Sequence, residues 1–178
     1  MTASDLIIEL DESVKDITFG HLDITTNHFV SLPDVLPEFG FLNIDLQNGD
    51  LSGTFNISHG LTLHVGQGNI AAELHIIAPS RYDSNPALSP PQVEATTNRG
   101  NIDLTVLSQA EDLESNIVGL TQMGVVRIQQ TPDYVGAFVA DVGTGQMKVS
   151  TKSPKILLID EETPSHVEGH VRYAHQEG

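Results

Sequence analysis

The sequence of 178 residues contains no cysteine and no tryptophan. Without cysteine the chain can have neither a disulfide framework, nor a thiolate metal site, nor a cysteine nucleophile. Aromatic residues are scarce, since they make up only 5% of the chain. Few rings are therefore available to stack on a nucleobase or a sugar.

Basic residues are also few: 8 Lys and Arg stand against 24 Asp and Glu, for a net charge of −16. A chain of this charge repels nucleic-acid phosphates and anionic membrane surfaces, which argues against both as partners. It favours cationic or calcium-bridged partners instead. The longest apolar stretches, such as residues 156–159, fall far short of the ~20 residues of a membrane-spanning helix, so we expect no membrane insertion.

The first 19 residues carry five acids and one lysine, and so lack the basic region and apolar core of a secretory signal. We expect an extracellular or cell-surface protein if the natural chain carries a signal or an anchor outside this sequence.

One short pattern occurs four times: a glycine, then Asp, Asn or Gln, then an aliphatic residue or methionine. The four glycines are Gly49, Gly68, Gly100 and Gly145. Apolar and polar residues alternate after each of them, as in the run from Ile70 to Ile77, which is typical of half-buried β-strands. The pattern predicts a sharp turn at each glycine, because glycine adopts positive φ without steric cost.

A second set of strands begins at Gly20, Gly40 and Gly60, which are spaced twenty residues apart. The repeating unit therefore consists of a strand, a glycine turn and a second strand. Between successive turns the spacing grows from 19 to 32 to 45 residues, and we assign the excess to loop insertions at 78–92, which is rich in proline, and at 108–123, where 110–115 could form a helical turn. Further strands are predicted at 125–129, 134–142, 155–160 and 166–173.

These features predict an all-β fold in which one domain spans residues 1–178. The period near twenty residues favours a β-solenoid-like stack of short strands with glycine turns, and a β-sandwich or jelly roll is the alternative. The acidic segment 5–16 is the expected N-terminal cap of the stack.

The segments 46–55 (LQNGDLSGTF) and 98–106 (NRGNIDLTV) resemble the repeat of an adhesin-like family of β-solenoids with fungal and bacterial members. The resemblance covers roughly residues 40–173. It implies a surface-exposed role in the cell envelope and brings no catalytic residues with it. The chain departs from the family's regular pattern at 108–123 and at its N-terminus.

Histidines supply the candidate metal ligands. His166, Glu168 and His170 alternate along one predicted strand with His175 close behind, and neighbours two residues apart lie ~6.6 Å from each other. Such a pair could bind zinc, although the spacing matches no helical zinc signature. His64, Glu73 and His75 occupy polar positions of successive strands, where stacking could gather them on one face.

Four aspartates at or near strand ends are candidate calcium ligands: Asp45, Asp50, Asp103 and Asp141.

The sequence contains no GxSxG, P-loop or GxGxxG motif. Polysaccharide-cleaving β-helix enzymes use a few carboxylates, with or without a base such as Arg, on an outer sheet face, and Asp103, Asp141 and Arg127 could supply those groups. The leading hypothesis is nevertheless a non-catalytic structural or adhesive surface module with an acidic polar face and cell-surface or carbohydrate ligands. The alternative is a carbohydrate-active or metal-dependent enzyme on the same scaffold, and self-association through exposed solenoid ends is a third hypothesis.

Overall fold

A computed structural model of the chain describes residues 6–7, 18–26, 30–31, 38–79, 90–111, 113–131, 134–151 and 156–172. Most of the predicted N-terminal cap at 5–16, the middle of the proline-rich segment 78–92, and His175 lie outside the described residues.

The described residues form twelve β-strands and no helix, which confirms the all-β prediction. The strands are β1 (Leu6–Ile7), β2 (Thr18–Thr26), β3 (Val30–Ser31), β4 (Glu38–Asn48), β5 (Leu51–Gln67), β6 (Ile70–Ile76), β7 (Gln92–Arg99), β8 (Ile102–Gln109), β9 (Ser115–Gln130), β10 (Gly136–Thr151), β11 (Ile156–Glu162) and β12 (His166–Arg172).

The strands stack in parallel as a β-solenoid of about 5 turns, which confirms the predicted solenoid. They form two ladders. The first ladder contains β2, β4, residues 60–67 of β5, β7, residues 116–123 of β9 and residues 136–144 of β10. The second ladder contains β1, β3, residues 51–57 of β5, β6, β8, residues 126–129 of β9 and residues 145–151 of β10. At its C-terminal end the first ladder is extended by β12 and β11, which pair antiparallel.

The core lies between the two ladders. Along β6 the apolar residues Ile70, Ala72, Leu74 and Ile76 are all buried and the residues between them are more exposed, as the alternation predicted. Gly119 of the first ladder shows how closely the ladders pack, because a side chain there would meet Val126 of the second ladder at 2.8 Å. The interior is therefore filled by apolar side chains from both ladders, most of them aliphatic, with Phe55 and Phe138 among the largest.

Glycine turns stack on one another where the chain passes from the first ladder to the second. Gly49, Gly68, Gly100 and Gly145 all have positive φ, between 118° and 151°, which confirms the four predicted turns. The structure adds a fifth, Gly124, at φ 152°. The first three turns, at Gly49, Gly68 and Gly100, each donate a backbone hydrogen bond to the next coil, as when the N–H of Gly68 bonds the carbonyl of Arg99 at 2.8 Å. A side chain at Gly100 would overlap the carbonyl of Gly68.

The polar residues after Gly49, Gly68 and Gly100 form a second stack beside the first. Asp50 accepts a hydrogen bond from the backbone N–H of Asn69 at 2.7 Å, and Asn69 accepts one from the N–H of Asn101 at 2.9 Å. Asn101 accepts the last, from the N–H of Val125 at 3.0 Å. These side chains satisfy backbone groups that the sharp turn leaves unpaired, and they align each turn with the next.

The insertion predicted at 108–123 was wrong over most of its length. Residues 115–123 belong to β9 and pair with β7, so only 110–114 connect two strands. Buried Gln109 organises this corner: its amide donates to the carbonyls of Leu113 and Val135, and its oxygen accepts from the hydroxyl of Ser115. A turn forms at the predicted place, since the N–H of Leu113 donates to the carbonyl of Ala110 at 3.4 Å.

Replacing Gly100 by alanine should destabilise the chain by at least ~2 kcal/mol, because the residue needs positive φ and its new Cβ would collide with the stacked backbone. Urea unfolding measures the loss. The matched control is Gly20→Ala, where nothing lies within 4 Å of the added Cβ. Equal urea midpoints for the two variants would contradict the role of the glycine stack.

Replacing Asn101 by alanine should cost about 1 kcal/mol, since it removes the acceptor for the N–H of Val125. The control is Asn98→Ala, at an exposed position three residues earlier on β7. A loss of the same size in both variants would show that the side-chain stack contributes nothing to stability.

Candidate functional site

A groove of about 560 Å³ lies on the outer face of the first ladder. Its lining comes from β2, β4, β5 and β7, together with the residue Pro90 just before β7. The lining residues are His21, Asp23, Phe41, Leu42, Asn43, His59, Gly60, Leu61, Thr62, Pro90, Gln92 and Glu94. A second groove of about 300 Å³ shares Gln92 and Glu94 and continues across β9 and β10.

Phe41 is the aromatic residue of the groove, and 50% of its surface is exposed. Its position follows from a register shift between Phe39 and Phe41, which places Phe41 opposite Gly60. A Cβ added to Gly60 would lie 2.8 Å from Cδ1 of the Phe41 ring. The ring therefore occupies the space that a side chain at position 60 would need, and lies over the strand.

Two histidines flank this ring. The centroids of Phe41 and His59 are 5.4 Å apart, and those of Phe41 and His21 are 6.3 Å apart, both in tilted arrangements. Nε2 of His21 lies 2.9 Å from a carboxylate oxygen of Asp23. The flanking contacts hold Phe41 in place from both sides.

A row of polar side chains runs beside the ring, across the strands. Asp23, Asn43, Thr62 and Glu94 are register partners on four successive strands of the ladder. Strands of a sheet lie about 4.8 Å apart, so hydrogen-bonding groups recur at that interval along the stack. The arrangement offers an apolar ring on one side and donors and acceptors on the other.

The catalytic candidates lie on different ladders. Asp103 and Arg127 are neighbours on the second ladder, where Nη1 of the arginine donates to the carboxylate at 3.0 Å. Asp141 lies on the first ladder, and its carboxylate oxygen is 2.6 Å from Nδ1 of His166. The structure thus brings Asp103 and Arg127 together and pairs Asp141 with a histidine instead.

His166, Glu168 and His170 share the outer face of β12, in the predicted alternation with buried Val167 and Val171. Nε2 of His166 lies 3.6 Å from Glu168, while Nδ1 of His170 lies 2.8 Å from Asp160 on β11. The hydrogen bond that the His166 ring donates to the carboxylate of Asp141 raises the pKa of His166 above its ordinary value, and the negative charges of Glu161 and Glu168 act in the same direction.

His64 is separated from the other two members of its predicted cluster. It lies on the first ladder between Asp45 and Thr96, whereas Glu73 and His75 lie on the second. There, Nδ1 of His75 is 2.7 Å from the hydroxyl of Ser108, and Glu73 accepts a bond from Thr54 at 3.2 Å. The expectation that stacking gathers these three side chains fails, because strands of the two ladders alternate along the chain.

Among the candidate calcium ligands, Asp50 accepts hydrogen bonds from Asn69 in the turn stack. Within the described residues, no group of three or more His, Asp or Glu could hold a metal ion.

Reasoning from the sequence missed Phe41, although a signal for it was present. Leu42, Ile44 and Leu46 face the core, so Phe41 falls on the outward phase of β4 with Asn43 and Asp45. An aromatic residue on an outward phase is a sign of a binding surface.

The fold and the groove define a β-solenoid with a ligand-sized depression on an outer face. Comparison with protein-family models, curated proteins and solved structures finds no match to the chain. No helix long and apolar enough to span a membrane occurs in the part of the chain that the structure describes.

The pKa of His166 should lie above 6.5 in an NMR titration and return toward 6.5 in Asp141→Asn. Because folding raises this pKa, the pair stabilises the fold fully below pH 6.5, and the contribution disappears as pH rises through the folded-state pKa. The variant should therefore lose stability at about pH 5.5 and little at about pH 9. The control is Asp103→Asn, which removes a carboxylate that contacts Arg127 and should leave the pKa of His166 unchanged. A pH-independent loss in Asp141→Asn would contradict the pairing.

Proposed function

We propose that this chain is a non-catalytic structural or adhesive surface module that contacts its ligand through the outer face of the first ladder. The observation that carries the proposal is the half-exposed Phe41 in a groove on a regular stack. A large apolar ring left at the surface of a fold with a well-filled core is typical of a contact site.

The scaffold supports this proposal. Parallel strands joined by backbone hydrogen bonds and aligned by the turn stacks form a regular surface, so a ligand would find its contacts already in place. Binding to a preorganised surface avoids the cost of ordering loops, which favours extended ligands held by many weak contacts.

The resemblance of residues 46–55 and 98–106 to the adhesin-like repeat also favours an adhesive function. It favours an extracellular or cell-surface location as well. The net charge of −16 adds a preference for neutral, cationic or calcium-bridged partners.

An enzyme built on the same scaffold is the rival function. Its candidate carboxylates, Asp103 and Asp141, lie on separate ladders, and each is already bonded to a basic or imidazole side chain. A pair of carboxylates that acts on one glycosidic bond must lie within about 10 Å across one cleft. This placement favours the binding function over the hydrolytic one.

Surface retention tests the proposal. Labelled chain should bind saturably to at least one of three kinds of particle, namely chitin, cellulose or collagen-coated beads, and much less to albumin-coated beads. It should be displaced by unlabelled chain and should release no soluble sugar product. Absence of saturable retention on all three particles would contradict the proposal. Release of product that is lost in Asp103→Asn or Asp141→Asn would replace the proposal with the enzyme reading.

A further inference from the structure

The ring of Phe41 lies over the strand at Gly60, where a side chain would meet Cδ1 at 2.8 Å and Cε1 at 3.1 Å. Half of the residue remains exposed. A ring seated over backbone in this way offers a flat apolar surface, and the C–H bonds on one face of a sugar ring can stack on such a surface.

The polar row beside Phe41 suits the edges of the same ligand. Asp23, Asn43, Thr62 and Glu94 provide carboxylate, amide and hydroxyl groups in register on successive strands. Sugar hydroxyls both donate and accept hydrogen bonds, so they can use all of these groups. An oligomer that runs along the stack would meet one of them about every 4.8 Å.

Charge narrows the class of sugar. Among the described residues, the groove lining contains two carboxylates, Asp23, which lies 2.9 Å from Nε2 of His21, and Glu94, and no lysine or arginine. An acidic sugar would face these carboxylates in a chain of net charge −16, whereas a protonated amine would be attracted to them and to the face of Phe41.

We propose that this groove binds a carbohydrate chain of neutral or amine-bearing sugars, with one sugar ring stacked on Phe41 and its hydroxyls or amine bonded to the polar row. The proposal rests on the adhesive function above and names its ligand. The adjoining groove across β9 and β10 gives the chain a continuous path, since both grooves share Gln92 and Glu94.

Calorimetric titration with three hexasaccharides tests the ligand class: N-acetylchitohexaose, which is neutral, hexaglucosamine, which carries amines, and hexagalacturonate, which is acidic. The first two should bind. The affinity for hexaglucosamine should fall as the salt concentration is raised, because the additional attraction of its amines to the groove is electrostatic. Hexagalacturonate should bind more weakly than either.

Substitutions at Phe41 and Gly60 test whether the ring of Phe41 contributes to sugar binding. Phe41→Ala should weaken binding of N-acetylchitohexaose by about tenfold, the effect of losing one stacking contact, and Phe41→Tyr should restore it. Gly60→Ala keeps the ring but displaces it, so it should also weaken binding. The matched control is Met123→Ala, which removes an equally exposed apolar side chain, 52% accessible, on the same ladder outside both grooves. Urea unfolding of each variant verifies that the fold is retained.

The outcomes separate this inference from the function on which it rests. If no hexasaccharide binds while the chain still adheres to collagen-coated beads, the module is adhesive and the sugar assignment is wrong. The assignment is also overturned if hexagalacturonate binds more tightly than the other two hexasaccharides, or if Phe41→Ala binds N-acetylchitohexaose as tightly as the unchanged chain does. If the hexasaccharides are cleaved, the non-catalytic function itself fails.

Discussion

The fold depends on close backbone contact between successive glycine turns. At these turns the N–H groups of one coil bond the carbonyls of the next at 2.8–2.9 Å, and the space normally occupied by a Cβ is taken by a neighbouring carbonyl. Only glycine combines positive φ with the absence of a side chain, so the turns can stack directly. The side chains of Asp50, Asn69 and Asn101 then fix the alignment. Every column of residues on the two ladders inherits its register from this alignment, including the row that lines the groove.

Alignment at the turns also explains how the stack tolerates coils of unequal length. Equivalent positions are separated by 19, 32 and 24 residues in successive coils, yet the same bonds form in each. The additional residues fall between a second-ladder strand and the next first-ladder strand, as between the end of β6 at Ile76 and the start of β7 at Gln92. Loops cost little when both ends are held by neighbouring strands, because the entropy of loop closure grows only slowly with length. The longest connection nevertheless reaches the groove, because Pro90, just before β7, belongs to its lining.

The sequence was sufficient for most of the strands and four of the five turns, because these follow from two-residue alternation and from glycine, but it missed β7 and the first half of β9. It was not sufficient where tertiary contacts decide. Gly124 was overlooked because it is followed by Val125 and not by the small polar residue of the pattern. The backbone N–H of Val125 nevertheless donates to the side chain of Asn101 in the previous coil. At the corner after Gln109, the hydrogen bond from Gln109 to the carbonyl of Val135 joins residues 26 positions apart, which no local pattern reveals. Register between strands is likewise a tertiary property, so the separation of His64 from His75 and the pairing of Asp141 with His166 appear only in the folded chain.

The groove arises at one of the register shifts in the stack, the one between β4 and β5. If β4 and β5 kept the register of Phe39 and Ile57, Phe41 would lie opposite His59, whose side chain would compete for the same surface. The register shift places Phe41 opposite Gly60 instead, and the ring settles over the glycine with His59 at its edge. A bulge of this kind redirects side chains without breaking the ladder, and such bulges are concentrated at functional sites. In the groove, this shift places the half-exposed ring of Phe41 beside the row of polar side chains that begins at Asp23 and ends at Glu94.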